Sequence, residues 1–210
     1  MTSDRKFPNL YLDFEKIIDP AHTALLVWDV QNLLVNRIFN AESFLINLSQ
    51  IIGAARQTGI PIFYSKIVPL PREFEAPPRT YMMMKRMGLQ DPDKLPKFLI
   101  PGTPEAEIHS DVAPAEQDIV LGKHTTSMFI GTHFEPMLRN RGIETLIVTG
   151  LNTEMGIAST ARDASARGFY TVVAEDAVST SDEEVHASCL NILKRVVLVE
   201  SCQKIMEGWG

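Results

Sequence analysis

Six short apolar runs recur along the chain, and segments with helical spacing lie between most of them. The runs are TALLVWDV (23–30), IPIFYSKIV (60–68), QDIVLGK (117–123), ETLIVTG (144–150), YTVVAEDA (170–177) and RVVLVES (195–201). Near-continuous apolar runs of this length suit strands covered on both faces. Between the first two, Phe44, Leu45, Leu48, Ile51, Ile52 and Ala55 recur at helical spacing, with Gly59 as terminator. Thr132-x-x-Glu135 and Ser181-x-x-Glu184 read as capping boxes opening two later helices, and Gly142 and Gly168 read as stops. Strands alternating with helices in this way predict a parallel, doubly wound α/β sheet.

Residues 68–118 interrupt the rhythm. Nine of the thirteen prolines fall there, together with Met82, Met83, Met84 and Met87. An insertion of this length between two strands is usually functional or an interface. Adaptable methionines suit a lid or a partner surface, and they equally suit one short helix packed on the core. No repeat or linker divides the chain, so residues 1–210 are expected to form one domain, with 1–20 as an N-terminal extension. The net charge of −6, without clustered Lys or Arg, argues against a nucleic-acid partner. No run reaches the roughly 18 apolar residues of a membrane span. The opening MTSDRKFPNLYLDFEK is too polar for an export signal. Cys189 and Cys202, on separate elements, are therefore expected to be free, buried thiols in a reducing cytoplasm.

Ligands of doubly wound sheets bind outside the C-terminal strand ends, where strand order reverses. Asp29 follows ALLVW, Lys123 follows DIVLG, and the turn from Gly150 to Gly156 follows TLIV. A carboxylate at a buried strand end requires a partner, which Lys123 would supply. A turn entering a helix offers free backbone N–H groups to an anion. The three features would converge on one cleft, although an Asp at a strand end is also a common cap or turn former.

The segments WDVQN (28–32), PGTPEAEI (101–108), GKHTTSMF (122–129) and VTGLNTEMGIASTARDASARGF (148–169) together resemble the isochorismatase-like, or cysteine hydrolase, superfamily. The resemblance covers about residues 20–200. It implies a three-layer α/β/α fold with a six-stranded parallel sheet and a homo-oligomer, dimeric or tetrameric, for which the Met-rich insertion is a contact surface. It also implies a catalytic Asp, Lys and Cys, falling on Asp29, Lys123 and the position held here by Gly156. The family's oxyanion donors would be the N–H groups of Asn152 and Gly156, beside an unusual cis peptide at Leu151–Asn152.

Glycine at 156 closes the thioester route, and Thr153 and Ser159, the nearby hydroxyls, do not occupy the family's position. Vinyl ether hydrolysis requires a placed acid but no covalent nucleophile. Asp29 is then the proton donor, Lys123 its positioning cation, and Gly156 the space for substrate or water; on this view Gly156→Cys would restore thioester chemistry. The loop Asn152-Thr153-Glu154-Met155 departs from that of the isochorismatases proper. Gln31, Arg79, Lys85, His124 and Leu151 are candidate contacts for a small, carboxylated substrate. Arg79 and Lys85 read equally as solvated surface charges, and His124 as a surface residue. No metal or other cofactor is expected. The alternatives are a family member that binds without catalysis, and an amidohydrolase using water as nucleophile.

Overall fold

The computed structural model describes residues 10–210. In chain order its elements are α1 (Phe14–Ile17), β1 (Thr23–Trp28), α2 (Asn32–Val35), α3 (Ala41–Gln57), β2 (Ile62–Ile67), α4 (Pro77–Met87), β3 (Ile119–Lys123), α5 (Phe134–Asn140), β4 (Thr145–Leu151), α6 (Ala158–Ala166), β5 (Tyr170–Ser179), α7 (Glu183–Leu193), β6 (Leu198–Glu200) and α8 (Cys202–Glu207). The strands form one parallel sheet in the order β3-β2-β1-β4-β5-β6. From β1 the chain winds outward through β2 and β3, then crosses to β4 and winds the other way. The order therefore reverses between β1 and β4, as a doubly wound sheet requires.

Alternation along the buried strands makes the layers. Leu25 and Val27 of β1 point to a core formed with Phe44, Leu48, Ile51, Ile52 and Ala55 of α3 and with Cys202 and Ile205 of α8. Ala24, Leu26 and Trp28 point to the opposite core, with Phe134 and Leu138 of α5, Ala161 and Ala164 of α6, and Leu190 and Leu193 of α7. Burying each large aliphatic side chain contributes about 1.5–3 kcal/mol, and this draws the expected helical stripe of α3 onto the sheet. Thr58 closes α3 by donating its hydroxyl to Ala54 O at 3.0 Å, and Gly59, at φ 74°, reverses the chain.

Three local expectations require correction. Only half of the box at Thr132 and Glu135 forms: the Thr132 hydroxyl accepts from Phe134 N, the first residue of α5, at 3.1 Å while donating to Met128 O, but Glu135 pairs with Arg139 and Arg167 instead of reaching back. At α7 the cap is Asp182, whose carboxylate accepts from Val185 N at 3.0 Å, one residue beyond Ser181. The Met-rich segment does form a helix, α4, but no residue of that helix is buried. It stands off the core, so the methionines do not pack it. Of the expected extension, residues 1–9 lie outside the described residues, whereas Ile17 and Ile18 are core residues.

Candidate functional site

Asp29 and Lys123 meet at the C-terminal edge of the sheet. Lys123 Nζ lies 2.6 Å from Asp29 Oδ2, with side-chain exposures of 2% and 1%. Ser65, within β2, donates its hydroxyl to Asp29 Oδ1 at 2.5 Å and accepts the Asp29 N–H at 3.0 Å. Both carboxylate oxygens are thus engaged. Burial raises the Asp29 pKa, outweighing the Lys123 ammonium and the Ser65 hydroxyl, which pull it down. The same burial lowers Lys123. A raised carboxyl suits a proton donor.

Backbone strain is concentrated here. Three non-glycine residues among those described have positive φ, and two are Asp29 at 48° and Asn152 at 62°. Such conformations persist where surrounding structure enforces them. After β4 the chain runs through a π-helical turn, Thr153–Ile157, a form that clusters at functional sites. Asn152 opens it, its carbonyl accepting from Met155 N at 3.0 Å and Ile157 N at 3.3 Å. No peptide among the described residues is cis, so the expected cis bond at Leu151–Asn152 is absent. The left-handed Asn152 makes the reversal instead.

The space expected beside Gly156 is not open. A Cβ built on Gly156 would lie 2.0 Å from Trp28 Nε1 and 2.2 Å from Cε2. The indole stands where any side chain at 156 would project. Gly150, at φ 115°, is equally constrained, since its Cβ would lie 2.2 Å from Trp28 O. Lys123 Nζ sits 3.7 Å from the centroid of the same indole. A desolvated cation–π contact of this kind is worth about 2 kcal/mol. Gly156→Cys in an otherwise unchanged chain would collide with Trp28, so the thiol chemistry expected of that variant has no room to form.

The other nominated residues are distributed unevenly. The Gln31 side chain is fully buried and acts as a clip, donating to Ala106 O at 2.7 Å and accepting from Ile67 N at 2.8 Å. Leu151 is a core residue. Neither presents a group to a ligand. His124 is exposed, and its carbonyl accepts from Arg79 Nη1 at 2.8 Å. Lys85 is exposed on α4. Arg86 reaches the sulfur of Met155 at 3.9 Å, so α4 touches both the segment after β3 and the π-helical turn. Beside the dyad, but not lined by it, is a cavity of about 1390 Å³ between α2, α4 and residues 92–101. Ile67, register partner of Lys123, and Arg79 link the two. Thr153 is buried and its hydroxyl lies 2.9 Å from His186 Nδ1; Ser159 is half-buried on α6. Cys189 donates to Thr153 O at 3.4 Å, and burial pushes both thiols above their ordinary range.

Trp28 and Ser65 were not singled out from the sequence. Ser65 is the one small polar residue in the middle of an apolar run. For Trp28 the signal was a bulky ring directly before Asp29, matched by glycine where a side chain was expected.

Residues 23–203 match the isochorismatase domain family. The chain belongs to the isochorismatase family. The uncharacterized family protein YecD of Escherichia coli O157:H7 is 40% identical over 94 residues, 44% of this chain and 50% of that protein. The ureidoacrylate amidohydrolase RutB of Methylobacterium radiotolerans is 29% identical over 189 residues, 82% of this chain and 73% of that protein. A cysteine hydrolase structure from Pseudomonas syringae pv. phaseolicola superposes with TM-score 0.76 at 19% identity, covering 90% and 93% of the two chains. It shares the fold. Family membership makes the chain one of a group of hydrolases.

Proposed function

We propose that this isochorismatase-family hydrolase works without a covalent intermediate, on a small carboxylated substrate of the vinyl-ether type. The observation that carries the proposal is the buried 2.6 Å contact of Asp29 with Lys123 at the switch point of the sheet. Gly156, which the family resemblance aligns with the nucleophile, supplies no thiol. Asp29 would deliver its proton to the terminal vinyl carbon, leaving an oxocarbenium ion. Water adds to that cation and returns a proton to Asp29, and the hemiketal collapses to an alcohol and a keto acid. Lys123 holds the carboxyl in place and offsets the charge of the carboxylate formed when the proton leaves. Arg37, over the Phe98 ring, and Arg86, beside the Met155 sulfur, have no ion pair among the described residues; both line the adjacent cavity and favour a carboxylate.

Two observations favour a second reading, in which the chain binds a metabolite without turnover: both Asp29 oxygens are engaged, and the indole fills the crevice. A third, water-mediated amide hydrolysis, draws on the amidohydrolase activity of the relative RutB. The deciding experiment offers isochorismate and a panel of small amides to the wild type and to Asp29→Asn. Pyruvate released by the wild type and lost in the variant supports the first reading. Ammonia instead selects amide hydrolysis. Silence on both products, with a ligand-induced rise in melting temperature, selects binding.

A further inference from the structure

We propose that Trp28 is a specificity-determining residue: its indole excludes any side chain at 156 and thereby closes the covalent route of catalysis. This deepens the reading above, because it gives a structural cause for the absence of a nucleophile.

The inference rests on how Trp28 is held. It ends β1, pairs in register with Gly150 of β4, and is 1% exposed. Gly150 lets β4 pass close against the Trp28 backbone, since even one added carbon there would fall 2.2 Å from the Trp28 carbonyl oxygen. Lys123 lies over the ring at 3.7 Å. The indole is thus fixed at its base by β4 and capped by the ammonium, and Gly156 abuts the Nε1–Cε2 bond. A contact of 2.0 Å is well inside van der Waals distance, and the ring is a rigid plane rather than the end of a flexible chain. Ring and side chain at 156 are therefore mutually exclusive. Gly156 follows from the tryptophan. A smaller residue at 28 would open a pocket bordered by Asp29, Lys123 and residue 156 together, where a thiol would stand beside the ammonium that lowers its pKa.

The test uses no substrate, so its failure is separate from failure of the proposed reaction. Gly156→Ala is made in the wild type and in Trp28→Leu, and melting temperatures are compared. The substitution is expected to lower the wild-type midpoint by ten degrees or more and to leave the Trp28→Leu midpoint nearly unchanged. Equal losses in both backgrounds would overturn the proposal. The second measurement follows iodoacetamide labelling against pH, located by peptide mass spectrometry to separate Cys189 and Cys202. In Trp28→Leu/Gly156→Cys the introduced thiol should label at pH 6 at least tenfold faster than in the same protein carrying Lys123→Met. Labelling of Gly156→Cys alone at the rate of the double variant, with no loss of melting temperature, would also overturn it. Should the thiol variants not fold, the alanine comparison decides alone.

Discussion

Removing either partner of the Lys123–Asp29 pair should make stability depend more steeply on pH, in opposite senses for the two partners. With exposures of 2% and 1%, neither group can be solvated in place. Lys123→Met leaves the Asp29 carboxyl with Ser65 alone, and breaking a buried pair from one side costs about 3–5 kcal/mol. For a chain of this length each kcal/mol moves the midpoint by roughly 2–4 °C, so the loss at pH 7 is roughly 6–20 °C. The pH dependence follows from counting protons. Unfolded Asp29 releases its proton above about pH 4, whereas burial, no longer opposed by the ammonium, keeps the folded carboxyl protonated to higher pH. Stability of Lys123→Met is therefore greatest below about pH 4 and falls by up to ~1.4 kcal/mol per unit until the folded carboxyl ionises. Asp29→Asn isolates Lys123, whose pKa burial lowers. Its stability is greatest above about pH 10.4 and is lost as pH falls toward the folded amine's pKa. In the wild type each shift keeps its direction but is opposed by the pairing, so the slopes have the same signs as in the single variants and are shallower. Urea unfolding from pH 5 to pH 8, on the wild type, both single variants and the double variant, measures this. Parallel slopes in the two single variants, or strict additivity in the double, would refute the coupling.

Gln31→Leu should loosen the insertion without removing a ligand-binding group. It leaves Ile67 N–H and Ala106 C=O unpaired, at about 1–3 kcal/mol each; limited proteolysis should then cut faster within 68–118, and unchanged cutting would show that the clip is dispensable. The exposed Phe74, Tyr81, Met82 and Met87 on and beside α4 are the contact surface we propose for a dimer or tetramer. Light scattering should give a multiple of the 23.5 kDa chain mass that Tyr81→Glu/Met82→Glu reduces to one, and a wild-type monomer would remove the proposal.

What the sequence made legible is what repeats. The strands and α3 could be placed because burial on both faces, or on one stripe, imposes a period that apolar residues must follow. Asp29 and Lys123 could be nominated because a charge ending an apolar run is costly unless it is paired, and strand order brings those ends together. The cap of α7 lies one residue beyond the expected Ser181 because the choice between Ser181 and Asp182 depends on which one reaches Val185 N–H, a matter of backbone angle. The role of Gln31 was hidden because a buried amide is defined by its partners, Ala106 and Ile67, which only the folded chain brings within reach. Trp28 and Gly156 expose a deeper limit. Gly156 stands out alone, as the position that the family resemblance gives to a thiol, whereas Trp28 passes as one more residue of an apolar run. Their meaning lies in a shared volume: the ring occupies what the glycine vacates. It follows that the glycine at 156 should be interpreted together with Trp28, the residue before the strand-end Asp29. Because that residue is large, restoring the thiol by itself would place two groups in one space.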